Sequence, residues 1–175
     1  MKITFVRHGN TDRSDRDEDR RLTEKGREQA RIFKARYRLA PQLALSSNAH
    51  RALETASVIL EGQECPINVL AELYLAVGKV ETDAINGLFA VHGYAPLATY
   101  IAADPEFFER YATRAAALIR KHAESAGADD VMVVGHAILL NAIGLEFSND
   151  PRLLTAFIGE VEGFTIETCK GVNFI

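Results

Sequence analysis

Two histidines in this chain stand directly past an apolar run, and the first of them follows an arginine suited to holding an anion. Arg7-His8-Gly9 closes Met1-Lys2-Ile3-Thr4-Phe5-Val6, and Gly135-His136 closes Val131-Met132-Val133-Val134. A third cluster, Ser46-Ser47-Asn48-Ala49-His50-Arg51-Ala52-Leu53-Glu54-Thr55-Ala56, follows the short apolar stretch Leu43-Ala44-Leu45. A side chain just past a buried strand lies at the carboxyl edge of a sheet, where open α/β folds bind ligands. Arg7 and Arg51 each offer a planar pair of donors to an oxyanion, and Gly9 permits a sharp turn and a close approach. Residues 48–51 would aim helix N-terminal amides at the same place. Two guanidiniums and two imidazoles around one point make an anion site, with phosphate as the natural guest. Phosphoryl transfer is mostly positioning and charge stabilisation, so such donors take the part that a metal plays elsewhere. A neutral imidazole attacks phosphorus when its other ring nitrogen is held by a backbone carbonyl. His8 is placed for that attack, and His136 for stabilising the equatorial oxygens. No metal is expected on His8 and His136, because Arg7 and Arg51 repel a cation, and no other cofactor is implied.

The elements that must position these residues alternate. A strand over residues 2–6 leads into a charged loop, Asn10 to Arg21, with no periodicity. Thr23 reads as the N-cap of a helix whose Gly26, Ala30, Phe33 and Tyr37 share one face. After Pro41 comes the strand 43–46, then a helix capped by Ser47 or Asn48 that faces inward with Ala52, Ala56, Ile59 and Leu60. Residues 66–70 read as a third strand. From Glu72 to Ala103 the glycines and Pro96 suggest a long irregular excursion with short helical pieces. A strong helix starts at Pro105, with Phe108, Tyr111, Ala115, Leu118, Ile119 and His122 on its inner stripe. The near-continuous apolar run 131–134 is typical of a strand covered on both faces. A short helix over 138–144 and one or two strands in the tail, residues 157–175, complete the pattern. The expected fold is a three-layer α/β/α sandwich with a mostly parallel mixed sheet, formed as a single domain over residues 1–175.

Composition agrees with that class. The 175 residues are 47% hydrophobic and 25% charged, enough for one sizeable core. The net charge of −4 argues against nucleic acid as a partner. An anionic substrate must therefore be drawn by a local cluster rather than by the overall field. No apolar stretch approaches the roughly 18 residues of a membrane span, and Arg7 and His8 interrupt the N-terminal apolar run too early for a secretory leader. A cytoplasmic protein with no membrane partner is expected. Cys65 and Cys169 lack metal or redox spacing and read as free buried thiols.

Four blocks, in order, carry a family resemblance: Arg7-His8-Gly9-Asn10-Thr11, Leu22-Thr23-Glu24-Lys25-Gly26-Arg27-Glu28-Gln29-Ala30, Ser46-Ser47 through Arg51-Ala52 to Glu54-Thr55-Ala56, and Gly135-His136. Together they resemble the histidine phosphatase superfamily, the phosphoglycerate-mutase-like proteins. The resemblance implies that His8 becomes phosphorylated, that Arg7 and Arg51 bind phosphate with Asn10 beside them, and that His136 completes the pocket. Asn10 departs from the Glu or Gln usual in the larger mutase and sugar-phosphatase members. The short loop to Leu22 is similar to the compact subgroup that contains the short phosphohistidine phosphatases. Glu72 lies in a segment similar to the one that carries the general acid in many members, with Asp83 as the second candidate. The implied activity is metal-independent hydrolysis of a phosphorylated small molecule or phosphoprotein. The alternatives are a phosphoglycerate-type mutase and a catalytically silent phosphate-binding domain. The residues that select the substrate fall between Glu72 and Ala103.

Overall fold

The computed structural model describes residues 1–12, 19–74, 79–167 and 171–175, with backbone alone for 79–81. Residues 13–18 of the charged loop, Gly78 and Cys169 therefore lie outside the described residues. β1 (Lys2–Arg7), β2 (Leu43–Ser46), β3 (Ile67–Val69), β4 (Asp130–Gly135), β5 (Gly163–Glu167) and β6 (Gly171–Phe174) form one sheet in the order β3-β2-β4-β1-β5-β6. β3, β2, β4 and β1 run parallel. β5 pairs antiparallel with β1, and β6 antiparallel with β5, so the tail supplies the antiparallel edge expected of it.

Alternation along the central strands sends side chains to two cores. Val6, Ala44, Met132 and Val134 face α1 (Glu24–Tyr37) and α2 (His50–Leu60), which contribute Ala30, Phe33, Ala52, Ala56, Ile59 and Leu60. Ile3, Phe5, Leu43, Leu45, Val131 and Val133 face the other layer. That layer is built on α5 (Pro105–Ala126) and α6 (Ala137–Ser148), through Phe108, Tyr111, Ala115, Ile119, Leu139 and Ile143. The result is the three-layer α/β/α sandwich. In α5 the stripe read from sequence is buried except at Leu118 and His122, which sit at its boundary. His122 there meets the Asn68 amide of β3.

Local chemistry sets the helix ends. Thr23 Oγ1 accepts from Gly26 N to start α1, and Asp104 does the same for Phe107 N ahead of Pro105 in α5. α5 stops at Gly127, whose φ of 60° is the left-handed geometry of a C-cap.

Three expectations need correction. The stretch after Glu72 is more regular than its glycines suggest, since it holds α3 (Lys79–His92) and α4 (Leu97–Ala103). Of the side chains described in α3, only Ile85 is fully buried, so no apolar stripe announces the helix, and Gly87 lies in its exposed interior. α2 is capped by neither Ser47 nor Asn48: Ala49 is the N-cap and makes no side-chain cap bond. Cys65 is a free thiol but only half-buried, with that burial pushing its pKa up. Among the described residues no helix is long and apolar enough to cross a membrane.

Candidate active site

Strand register builds the site. Arg7 of β1 pairs with Gly135 of β4, and Ser46 of β2 pairs with Val134 of β4. The next residue of each strand therefore emerges at one edge of the sheet. His8 N donates to Gly135 O at 3.0 Å, and Ser47 N donates to Val134 O at 3.1 Å, which carries the register one step beyond the strands. His8, Ser47 and His136 are thus neighbours although 128 residues separate the first from the last. α2 starts just past this edge and lays Arg51 across it, 96% shielded from solvent.

The hydrogen bonds determine the state of both imidazoles. His8 Nδ1 lies 2.8 Å from Gly9 O, and a carbonyl only accepts, so Nδ1 carries the proton. Arg51 Nε donates to His8 Nε2 at 3.2 Å, so Nε2 presents its lone pair. This is the tautomer a nucleophilic imidazole needs. Arg51 Nη2 reaches His136 Nδ1 at a long 3.4 Å, which leaves His136 Nε2 to donate to Ser47 Oγ at 2.9 Å. The two rings stand 5.2 Å apart. Burial foremost, then the electrostatic effect of His8, Arg51 and Arg7, holds the His136 pKa well below the usual imidazole range. A neutral His136 is what both of its hydrogen bonds require.

Arg7 is fixed from the opposite side. Its Nη1 donates to Tyr94 Oη and to Ile158 O, both at 2.8 Å, while Tyr94 Oη itself donates to Ile158 O at 2.7 Å. Ile158 belongs to the strap 155–162, which runs along the end of β1. Val161 N donates to Arg7 O and Arg7 N to Glu162 O. Val161 holds this place at φ 53°, a strained conformation for a β-branched residue. Its buried side chain packs into the core under α1 and α2. Asn141 of α6 anchors the start of the strap by donating to Leu153 O and Ala156 O.

The loop after His8 is locked by a crossing of two glycines. A Cβ on Gly9 would stand 2.9 Å from Gly26 O, and one on Gly26 would stand 2.3 Å from Asn10 O. Gly9 has no left-handed φ, so it serves the approach to α1 rather than a turn. Gly9 N donates to Thr55 Oγ1, which in turn donates to Arg51 O, tying the loop to α2.

The sequence candidates fall into two groups. Arg7, His8, Arg51 and His136 come together. The Asn10 side chain is engaged elsewhere: Nδ2 donates to Glu160 Oε1 and Oδ1 accepts from Thr23 Oγ1. Burial raises the Glu160 pKa, but the bonds from Gln29 and Asn10 and the charges of Lys25 and Arg7 outweigh it, so the carboxyl titrates below its usual range. Glu72 sits half-exposed on a one-turn 3-10 helix, Ala71–Leu73, and Asp83 is exposed on α3. Among the described residues neither carboxylate bonds to Arg7, His8, Arg51 or His136. Arg51 does not pair with Glu54, whose carboxylate takes Arg21 Nη1, Arg27 Nη2 and Leu22 N. His50 lines an outer groove with Glu54 and Ser57. His92, the last residue of α3, packs against Tyr100.

Three contributors escaped the sequence reading. Tyr74 packs against His136, the rings tilted by 40° with centroids 4.5 Å apart, and lies under the Arg51 guanidinium at 5.1 Å. Tyr94 and Glu160 are the others. All three come from segments without periodicity, and the one available signal for Tyr74 was its place just past the third strand.

Residues 3–154 match the histidine phosphatase superfamily, branch 1. The chain belongs to that superfamily. Its members are phosphatases or mutases, so this histidine phosphatase superfamily member is of a hydrolase-type enzyme class. Solved structures share its fold. The Bacillus stearothermophilus protein YhfR superposes with a TM-score of 0.71 at 23% identity, covering 99% of this chain and 94% of that one. The alpha-ribazole phosphatase of Shigella flexneri gives 0.70 at 19%, covering 100% and 95%. The protein histidine phosphatase SixA, solved with tungstate, gives 0.65 at 16%, covering 100% and 94%. No curated protein sequence matches this superfamily member.

Proposed function

We propose that the chain hydrolyses a phosphomonoester or phosphoprotein through a phosphohistidine on His8, without a metal. The observation that carries this reading is the tautomer of His8: Nδ1–H on Gly9 O, Nε2 turned toward Arg51 and His136. In the first step His8 Nε2 bonds to phosphorus while the bond from phosphorus to the leaving oxygen breaks, and that oxygen takes a proton from a general acid, for which Glu72 and Asp83 are the candidates. In the second, water gives a proton back to that carboxylate and attacks phosphorus, the P–N bond breaks, and phosphate leaves a neutral imidazole behind. Arg7 and Arg51 hold the equatorial oxygens, with His136 completing the set. His136 contributes as a neutral donor, using the Nε2–H that Ser47 Oγ accepts in the resting site. Gly9 O stabilises the positive charge that develops on the His8 ring as Nε2 bonds to phosphorus. The neighbours in fold include phosphatases of a small molecule and of protein histidine, which supports hydrolysis and leaves both substrate types within the proposal.

The test is a rapid quench of wild-type protein with an aryl phosphate, followed by acid and base treatment. An acid-labile, base-stable phosphoryl group on His8 is expected, with turnover unaffected by a strong chelator and lost in His8→Ala. Substantial turnover by His8→Ala would refute the mechanism.

A further inference from the structure

Seven large hydrophobic residues are exposed among the described residues, and two of them, Tyr94 at 56% and Phe157 at 55%, touch ring to ring. Their centroids are 5.4 Å apart with a 35° tilt. The pair adjoins the anion site: the Arg7 guanidinium carbon lies 5.2 Å from the Tyr94 centroid. Both rings are also fixed relative to Arg7. The Tyr94 hydroxyl accepts from Arg7 Nη1 and donates to Ile158 O, and Phe157 precedes Ile158 in the strap. Two neighbouring aromatic rings held open to water represent unrealised apolar burial, and their location beside a phosphate-binding arginine indicates what realises it.

We propose that Tyr94 and Phe157 form the subsite for the alcohol portion of the substrate, and that this portion carries an aromatic ring one or two bonds from the ester oxygen. The proposal rests on the hydrolase reading, because it takes Arg7 to hold the phosphoryl group. The Arg7 guanidinium carbon is 5.2 Å from the Tyr94 centroid and the Phe157 centroid is 5.4 Å from that of Tyr94, so a ring that close to a phosphoryl group on Arg7 is within reach of the pair.

Binding is measured by calorimetry with two non-hydrolysable dianions, benzylphosphonate and ethylphosphonate, which share a phosphoryl group and differ by the ring. Wild type is expected to favour the benzyl compound roughly two- to tenfold, the worth of one aromatic contact. In Phe157→Ser the benzyl-to-ethyl ratio should fall toward one. Tyr94→Phe keeps the ring but removes the hydroxyl from Arg7, so it should weaken both ligands while preserving their ratio. A ratio of one in wild type, or an undiminished ratio in Phe157→Ser, would overturn the subsite. Hydrolysis of benzyl phosphate is followed separately. Ring preference in binding with no turnover would defeat the hydrolase reading and leave the subsite standing, whereas turnover without preference would do the reverse.

Discussion

Gly26→Ala is a substitution whose sign depends on one close approach. In an ordinary helix interior, alanine in place of glycine gains about 1 kcal/mol. Gly26 is helical, so propensity alone predicts a more stable protein. The new Cβ, however, would sit 2.3 Å from Asn10 O and 2.9 Å from Asn10 N, both backbone atoms, where ordinary contact begins near 3.4 Å. Asn10 must retreat by about 1 Å. Its carbonyl accepts from Thr23 N, its amide donates to Gln29 Oε1 and its side chain holds Glu160, so each of these bonds is stretched. Overpacking of this kind costs about 1–3 kcal/mol, and every hydrogen bond weakened adds up to about 1 kcal/mol. We expect a net loss of about 1–3 kcal/mol, or a Tm lowered by roughly 2–4 °C per kcal/mol for a chain of this size. Because Asn10 is two residues past His8, the same shift should misplace the imidazole and lower kcat/KM by up to about 10²-fold. Urea denaturation and turnover of an aryl phosphate measure the two effects. Gly87→Ala is the control: it lies in the exposed interior of α3 with nothing within 4 Å of its Cβ, so the propensity gain should appear undiminished. A Gly26→Ala protein as stable and as active as wild type would refute the crossing as the reason for glycine.

Arg51→Lys should lose roughly 2–4 kcal/mol of transition-state stabilisation in kcat/KM, because an ammonium cannot span His8 Nε2 and His136 Nδ1 at once. Equal rates would remove the bidentate role. The depressed His136 pKa makes the unfolded chain the better proton acceptor between that value and the usual imidazole pKa. Stability should therefore rise with pH across that window and be lost as pH falls, by at most about 1.4 kcal/mol per unit. His136→Asn should flatten the dependence of the urea midpoint, and an unchanged slope would count against a neutral buried imidazole. Glu72→Gln should slow an alkyl phosphate far more than a nitrophenyl phosphate if Glu72 protonates the leaving oxygen. No loss on either substrate would exclude it, with Asp83→Asn as the parallel test.

The parts of the molecule legible in the sequence are those where chemistry and periodicity coincide. His8 and His136 each follow an unbroken apolar strand, so their place on one sheet edge follows from the alternation of elements. Arg51 was legible for a related reason, as the second residue of a helix that begins just past β2. Ser47 was misread because a serine ahead of a helix has two possible partners. Its hydroxyl serves His136, and α2 begins without a side-chain cap. Tyr94 and Glu160 were silent because their partners, Arg7 and Asn10, lie 87 and 150 residues away in the chain. No local pattern encodes such a meeting. α3 was obscured by Gly87 and by a face that buries little.

The sheet order also governs when the site comes into being. β1 precedes both of its neighbours by a long stretch, since parallel β4 begins at Asp130 and antiparallel β5 at Gly163. During synthesis the segment that bears Arg7 and His8 has neither flank until α1 through α5 have been made. Closing contacts this distant in sequence is slow and comes late. Until β4 follows, that segment is an exposed apolar strand with no His136 beside His8. A chain cut ahead of β4 therefore has no anion site at all.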